Sequence, residues 1–417
     1  MKKEVVKYIV VFFSLILVFL TYSVLVSLLP TQNIKKNITR SINAMLEEGC
    51  YPYGMIQNKH PYRMDNFTDA LILSQNYSID NKRPFHSSIN TCFATYPDTE
   101  FLDGVKRQVD SEDVLLNYYA RYWHGNTFLL RPFLLFADYS FIRWILYAVS
   151  SILLLILGIK LFQTIGMKKT IACFSGLFFV NIFITQFSIQ LFPVLCLSAI
   201  ACILVCKHFK DRKKILLISF IFGCLTAYLD LLSTPLFTCG LPLIVYLLAE
   251  EENIFRKRLL FLVLFVGLWG IGYGFTWTTK WVLGTLFTDI NIFEDAFRTI
   301  SIRAGSGNDF TRLDAIIKNF HLLPIVTINF ILVFLLVLSI IFFNKKAIKT
   351  NLLLLIVAAL PYLWFLVVSE HSVCHWWFTY RVQAISIAAI FIIFINFISW
   401  DKIDKLIHKR NIFKPNN

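Results

Sequence analysis

Two acidic side chains near position 65 have the spacing that proton-transfer or metal chemistry would need. Asp65 and Asp69 are four residues apart in M-D-N-F-T-D-A-L-I-L, so both carboxylates share one face if a helix begins here. Such a pair could deprotonate an acceptor hydroxyl or hold a divalent cation. The alternative is a solvated helix N-terminus, where the helix dipole also favours aspartate. We take Asp65 and Asp69 as the candidate catalytic residues.

A second group of candidates combines cationic and aromatic side chains in the segment 118–139. Arg121, His124 and Arg131 stand there among tyrosine, tryptophan and phenylalanine residues. Arginine is the preferred binder of phosphate, and tyrosine and tryptophan collect at the level of the lipid headgroups. These residues could therefore bind a lipid phosphate that carries a sugar. The alternative is an amphipathic interface helix with snorkelling arginines.

The segment 369–381 is the densest group of polar and aromatic residues. His371 and His375 are four residues apart, and on one face of a helix they could ligate a metal or contact phosphate. The segment ends with Arg381, and it lacks the H-E-x-x-H pattern that supplies the general base of a zinc protease. We take these three residues as candidates for substrate binding.

Two further charged residues stand at the ends of apolar segments. Asp230 is the only acid between 215 and 249, and an isolated acid in such a stretch is a functional candidate. Lys280 could neutralise a leaving phosphate, although a lysine in this position is also an ordinary membrane anchor. The glycine-rich segment 303–310 is predicted to be a mobile turn, with an anion-binding nest as the alternative.

The composition places these candidates in a membrane protein. Of the 417 residues, 57% are hydrophobic and 16% are charged, whereas soluble domains carry about 25% charged residues. A membrane span needs about 20 apolar residues. The sequence therefore predicts an all-α, polytopic membrane bundle of about ten spans, with residues 1–417 as a single membrane domain. The predicted spans are 8–29, 141–163, 171–190, 191–206, 215–230, 234–249, 259–279, 324–343, 352–369 and 382–400.

The distribution of charge predicts the orientation. With the N-terminus in the cytoplasm, the cytoplasmic segments hold 22 of the 40 Lys and Arg residues but 7 of the 26 Asp and Glu residues. This is the positive-inside pattern, so the net charge of +14 reflects topology and nucleic acid is excluded as a partner. Both termini are then cytoplasmic, and the loops 30–140 and 280–323 are extracytoplasmic. Cys50 and Cys92 of the first loop could form a disulfide.

The location of the polar sequence favours an outer-face enzyme over a transporter. No cytoplasmic segment is long enough for a nucleotide-binding domain, and no G-x-x-x-x-G-K-[ST] motif occurs. The span interiors carry almost no ionisable residues, whereas pumps usually keep one in mid-membrane. No repeat relates two halves of the chain, as it does in many transporters.

The order of these features resembles the GT-C glycosyltransferases, which have one span, a long outer loop bearing acids, and then many spans. The chain also resembles an uncharacterised family of bacterial multispan membrane proteins in the blocks D-N-F-T-D-A-L, Y-A-R-Y-W-H-G, Y-L-D-L-L-S-T-P-L, K-W-V-L-G and H-S-V-C-H-W-W-F-T-Y-R. The GT-C resemblance implies a polyprenyl-phosphate-linked sugar donor. It also implies an acidic base in the first outer loop, which would be Asp65 or Asp69.

We therefore expect a membrane glycosyltransferase that moves a sugar from a polyprenyl-phosphate donor to a cell-envelope glycan at the outer face. Its partners would be the lipid-linked donor, the glycan acceptor and membrane lipids, with a divalent cation as a candidate cofactor. The alternatives are a flippase or exporter of lipid-linked glycans, an O-antigen-type polymerase, and a structural assembly protein. An outward-open pocket lined by Asp65, Asp230, His371 and His375 would favour the enzyme, and a groove through the membrane would favour transport.

Overall fold

Long apolar segments fold into helices because a helix satisfies every backbone polar group within one segment. The computed structural model describes residues 2–53, 62–110, 114–305 and 310–412, and it is 78% helical. The fold is nearly all-α, as the sequence predicts. The departure is a two-stranded antiparallel sheet of β1 (Cys92–Ala94) and β2 (Leu116–Tyr118), in which Phe93 lies opposite Asn117.

The described helices are numbered in chain order. Those of the first half of the chain are α1 (Lys2–Ser27), α2 (Thr31–Glu48), α3 (Asn66–Ser78), α4 (Pro84–Ile89), α5 (Phe101–Asp110), α6 (Gly125–Leu130), α7 (Tyr139–Ile165), α8 (Met167–Phe179), α9 (Phe192–His208) and α10 (Arg212–Leu229). Those of the second half are α11 (Phe237–Ala249), α12 (Phe255–Phe287), α13 (Ile292–Arg303), α14 (Arg312–Phe320), α15 (Ile325–Ile341), α16 (Ile348–Val367), α17 (Ser369–Cys374), α18 (Trp376–Thr379), α19 (Ala384–Phe397) and α20 (Trp400–Ile412).

Five helical segments are long and apolar enough to cross a membrane, as in a multi-pass membrane protein. They are Lys3–Ser27, Tyr139–Ile165, Phe255–Phe287, Lys345–Val367 and Trp376–Phe397. The pair α14 and α15 would add a sixth, although it bends by 81° at the break between the two helices. The described residues thus support five or six spans by length and composition, and the ten predicted spans stay a prediction.

Left-handed backbone marks the ends of several helices in the middle of the chain. Gly166 (φ +79°) separates α7 from α8, Asn181 (φ +51°) follows α8, and Leu232 (φ +68°) lies between α10 and α11. Glycine and asparagine adopt this conformation readily, whereas leucine does so only where its surroundings hold it. These turns leave α9 and α11 as apolar helices of 17 and 13 residues, which are shorter than a typical span.

Helices α10 and α12 are in direct backbone contact, and this fixes the aromatic residues of α12. A Cβ at Gly223 of α10 would collide with the carbonyl oxygen of Trp269, and a Cβ at Gly272 would collide with that of Phe220. Small residues allow this close approach between membrane helices. The C-terminal part of α12 is thereby positioned beside the turn that follows α10.

The described residues between 31 and 135 form short helices and the two-stranded sheet, and we call this part of the chain the helical layer. The second helix of the chain is amphipathic, and burial of each large apolar side chain on it contributes about 1.5–3 kcal/mol. Its fully buried apolar residues are Ile34, Ile38, Ile42 and Met45. The thiols of Cys50 and Cys92 are both free, so the structure does not contain the disulfide that the sequence allows.

Candidate functional site

Two long-range contacts join the helical layer to α13 and the segment 369–381 to the turn after α10. A guanidinium nitrogen of Arg121 lies 2.8 Å from a carboxylate oxygen of Asp295, which belongs to α13. The Nε2 of His371 lies 2.8 Å from the backbone carbonyl oxygen of Leu232. Polar residues that are far apart in the sequence therefore meet here.

A cavity of about 370 Å³ lies between these elements, within the size range of small-ligand sites. Its walls combine aromatic and aliphatic side chains with two arginines. The aromatic residues are Tyr122, Tyr273, Trp277 and Trp281, and the arginines are Arg121 and Arg303. Of the residues predicted from the sequence to form the site, Arg121 is the one that lines this cavity.

The rim of the cavity is apolar and exposed. Ile300 is 48% exposed and Val367 is 62% exposed, and both line the cavity. They belong to two different helices, α13 and α16. Exposed apolar side chains around a pocket mouth mark a membrane or ligand contact surface, so the mouth suits a ligand that arrives from the lipid.

Both arginines of the cavity are held by carboxylates. Arg121 pairs with Asp295 and stacks over the ring of Tyr119 at 4.4 Å, while Arg303 pairs with Glu370 at 3.3 Å. Both guanidinium groups are mostly buried, yet each retains N–H groups beyond those used in its ion pair. An arginine fork of this kind can bind a phosphate in addition to its structural partner.

The position of Arg303 follows from the end of its helix. Helix α13 ends at Arg303, and Gly305 then adopts φ +92°, a conformation that glycine takes at little cost. A Cβ on Gly305 would lie 2.7 Å from the hydroxyl of Ser369, which donates a hydrogen bond of 3.1 Å to Ala304. The segment 303–310 had been predicted as a mobile turn or a nest; residues 306–309 lie outside the described residues.

Several buried polar atoms around the cavity have no hydrogen-bond partner in the described part of the chain. They are Oδ2 of Asp230, Nδ1 of His371, the hydroxyl of Tyr273 and the indole N–H of Trp277. Buried polar groups are paired in the great majority of cases. Four such atoms from three separate segments indicate where a polar ligand would make hydrogen bonds.

Asp230 lies directly behind the cavity wall, at the C-terminal end of α10. Its Oδ1 accepts hydrogen bonds from the backbone N–H (3.0 Å) and the hydroxyl of Ser233, while Oδ2 makes none with the described residues. Leu232 and Tyr273, which flank it, both line the cavity. One oxygen of this buried carboxylate is thus unpaired among the described residues and could accept a proton.

The two histidines of the segment 369–381 lie side by side, with ring centres 4.7 Å apart. Burial, together with the positive charge of Arg303, lowers the pKa of both, and the pKa of His375 falls to about 4. Both imidazoles are therefore neutral at pH 7. The described residues contain no group of three or more His, Cys, Asp or Glu side chains that could hold a metal ion.

Asp65 begins α3 as its N-cap. Its two carboxylate oxygens accept hydrogen bonds from the backbone N–H (3.0 Å) and the hydroxyl (2.9 Å) of Thr68. Burial raises the pKa of Asp65 to about 6. The buried guanidinium of Arg381, which donates to the Trp377 carbonyl at 3.1 Å, is among the charges that interact with Asp65. The structure thus brings together one predicted acid and one predicted cation, and neither lines the cavity.

Asp69 lies one turn further along α3 and is fully buried. Its carboxylate accepts four hydrogen bonds, from the hydroxyls of Tyr139 and Ser188 (3.1 Å) and from the backbone N–H groups of Ile189 (3.1 Å) and Gln190 (3.0 Å). It therefore ties the helical layer to α7 and to the turn before α9. These donors occupy the carboxylate, while the catalytic role inferred from the spacing stays a prediction.

Arg131 and His124 are also occupied by contacts within the protein. The guanidinium of Arg131 donates to three backbone carbonyls, and these belong to Val26, Leu29 and Asn76. The ring nitrogens of His124 lie 3.1 Å from the side-chain amide of Gln75 and 2.7 Å from the carbonyl of Tyr119. Burial lowers the pKa of His124 to about 3, so its ring is neutral. Arg131 therefore joins the helical layer to the C-terminal end of α1, and His124 joins elements within the layer.

Lys280 is buried where α12 meets the helical layer. Its Nζ donates a hydrogen bond of 2.5 Å to the carbonyl of Ile89 and lies 5.7 Å from the centre of the Trp123 ring. No carboxylate pairs with it among the residues that the structure describes. The lysine predicted to neutralise a phosphate is thus enclosed, and it does not line the cavity.

The sequence reasoning missed the residues that form most of the cavity. Tyr273, Trp277 and Trp281 recur every four residues, which places them on one face of α12. That periodicity could have identified an aromatic stripe. Arg303 carried no comparable signal, because its relation to Glu370 depends on two segments 67 residues apart.

Comparison of the chain with protein-family models, with curated proteins and with solved structures finds no match.

Proposed function

We propose that the protein is a membrane glycosyltransferase that moves a sugar from a polyprenyl-phosphate donor to a cell-envelope glycan. In this proposal the chain crosses the cell membrane ten times, with both termini in the cytoplasm. The segments 30–140 and 280–323 lie outside. The observation that supports it most is the cavity of about 370 Å³, which combines aromatic walls, two arginines and a lipid-facing rim.

Each part of this cavity suits one part of a lipid-linked sugar. Arg121 and Arg303 offer guanidinium N–H groups for the phosphate. The aromatic rings of Trp277 and Trp281 offer faces on which a sugar ring can pack. The apolar rim at Val367 lies where the hydrocarbon chain of the donor would pass into the bilayer. A water-soluble nucleotide sugar would gain nothing from such a rim.

The proposed reaction needs one proton acceptor and one site for the leaving phosphate. The acceptor hydroxyl oxygen attacks the anomeric carbon, the bond from that carbon to the phosphate oxygen breaks, and the hydroxyl proton passes to a carboxylate. Arg121 and Arg303 would stabilise the charge that develops on the phosphate. We prefer Asp230 as the proton acceptor, because its Oδ2 accepts no hydrogen bond from the described residues. Both oxygens of Asp65, by contrast, accept hydrogen bonds from Thr68.

The test combines deletion of the gene with complementation by variants. We expect the deletion to remove one sugar from the envelope glycan, and the wild-type chain to restore it. Arg303→Gln and Asp230→Asn should each reduce transfer about 100-fold or more, since each removes a group that acts on charge or protons in the transition state. Arg298→Gln is the matched control, because Arg298 lies on the same helix but is 74% exposed.

Purified wild-type chain in lipid nanodiscs should also transfer sugar from a synthetic polyprenyl-phosphate donor. An envelope glycan that is unchanged by the deletion would overturn the proposal. If the glycan changes but Asp65→Asn rather than Asp230→Asn abolishes transfer, the enzyme assignment stands and the base is Asp65.

A further inference from the structure

A second cavity, of about 470 Å³, lies at the opposite end of the bundle. It is enclosed by the turn between α7 and α8, by Asn344, by the end of α19 and by Trp400. A neighbouring cavity shares Lys169, Asn344 and Asn396 with it and reaches Arg258 near the start of α12. Arg258 and Trp277 are 19 residues apart on that helix, which separates the two ends by roughly 28 Å.

Two lysines give this cavity its charge. Lys168 and Lys169 are the charged side chains in its lining, and neither forms an ion pair within the described part of the chain. The ammonium of Lys168 lies 3.7 Å from the centre of the Trp400 ring. Burial lowers the pKa of Lys169, whose side chain also lines the neighbouring cavity together with Glu250, Glu251 and Glu252.

Two residues that line the cavity with the lysines, Trp400 and Asn344, are held in place by hydrogen bonds to backbone carbonyls. The indole N–H of Trp400 donates to the carbonyl of Ile395 at 3.1 Å, which sets the plane of the ring beneath Lys168. The side-chain amide of Asn344 donates to the carbonyl of Asn396 at 3.0 Å, and its backbone N–H donates to Phe397 at 2.8 Å. The Trp400 ring and the Asn344 side chain therefore have fixed positions in the wall of the cavity.

Part of the lining is apolar. Three isoleucines, Ile165, Ile395 and Ile398, line the cavity together with the lysines. Next to the cavity, α20 leaves Leu406 and Ile407 more than half exposed, as expected for a helix that lies on a membrane surface. A cationic rim above an apolar wall matches a phosphate that is attached to hydrocarbon better than it matches a free anion.

We propose that this cavity binds a phosphate group, supplied by an anionic phospholipid of the membrane. Lys168 and Lys169 bind the phosphate beside the ring of Trp400. The proposal is independent of the glycosyltransferase function, since it concerns the other end of the bundle. A free phosphate ester shares the same chemistry, and the experiment separates the two sources. In the predicted orientation this end faces the cytoplasm.

The test measures lipid binding to the full chain, purified in a non-ionic detergent, by native mass spectrometry. Mixed micelles supply phosphatidylglycerol, with phosphatidylcholine as the zwitterionic control. We expect the wild-type chain to retain phosphatidylglycerol and K168Q/K169Q to bind it roughly 10- to 30-fold more weakly, since each substitution removes a charge-assisted contact with the phosphate and a tenfold change corresponds to about 1.4 kcal/mol. K168R/K169R should bind as the wild type does.

The matched control is K207Q/K210Q, which removes two exposed lysines at the turn between α9 and α10, outside the cavity. Its affinity for phosphatidylglycerol should equal that of the wild type. If glycerol phosphate in solution displaces the lipid at equal concentration, the source is a free phosphate ester and the phosphate site stands. Equal affinities of K168Q/K169Q, K207Q/K210Q and the wild type would overturn the proposal.

Discussion

The Nε2 of His371 lies 2.8 Å from the carbonyl oxygen of Leu232, which has the left-handed φ of +68°. This hydrogen bond joins α17 to the turn that carries Asp230. Because the turn is strained, we expect His371→Ala to lower the free energy of unfolding by about 1–3 kcal/mol. Thermal unfolding in a non-ionic detergent would measure the change.

His375→Ala is the control for this prediction, since Nδ1 of His375 has no hydrogen-bond partner among the described residues. His375→Ala should lower the free energy of unfolding by less than His371→Ala does. Equal losses from the two substitutions would show that the contact with Leu232 does not stabilise the turn.

The buried carboxyl group of Asp65 should make the stability of the protein depend on pH. Its pKa is raised from 3.8 to about 6, so the folded state holds the proton more tightly than the unfolded state does. The resulting stabilisation is complete below about pH 4 and is lost as the pH rises through 6. Asp65→Asn keeps an N-cap acceptor but cannot ionise.

We therefore expect the stability of Asp65→Asn, relative to that of the wild type, to increase between pH 4 and pH 7 by about 3 kcal/mol. Unfolding curves measured at several pH values would give this difference. A difference that stays constant over this range would show that the raised pKa is wrong.

The carboxylate of Asp69 should stabilise the fold through its four hydrogen bonds. Asp69→Asn places an amide N–H₂ group among four donors, and we expect it to destabilise the protein by about 3 kcal/mol or more. Ser188→Ala, which removes one of the donors, should cost only about 1 kcal/mol. Folding yield and thermal unfolding would test both. A well-folded but inactive Asp69→Asn would instead support the catalytic role predicted from the sequence.

Lysine should not replace Arg131 without a loss of stability. Its guanidinium donates to the carbonyls of Val26 (3.2 Å), Asn76 (2.8 Å) and Leu29 (3.3 Å), and a lysine ammonium cannot reach all three in this geometry. We expect Arg131→Lys to cost about 2–4 kcal/mol in unfolding experiments. The exposed Arg83→Lys should cost less than about 0.5 kcal/mol, and similar values at both positions would contradict the role of Arg131.

The sequence predicted local features better than spatial ones. It predicted an all-α membrane protein, and the described residues are nearly all-α, with five or six helical segments long and apolar enough to cross a membrane. It did not predict that Asp69 binds the backbone at 189–190, because no local pattern encodes a contact across 120 residues. The periodicity of a helix tells which residues share a face, but not what that face will meet.

The number of spans shows a second limit. Hydropathy counts apolar residues, and it cannot distinguish a helix that faces lipid from one that is enclosed by protein. In Trp376–Phe397, 78% of the apolar window is buried inside the protein, compared with 22% in Tyr139–Ile165. Breaks such as the one at Asn181 also leave hydropathy almost unchanged.

The carbonyl partners of Arg131 have a consequence for biosynthesis. All three belong to residues 26–76, so a nascent chain can close this clamp as soon as Arg131 has been synthesised. Asp69, by contrast, finds its partners in the turn before α9 only after residues 188–190 have been synthesised. We therefore expect the clamp around Arg131 to form before the contacts that join Asp69 to that turn.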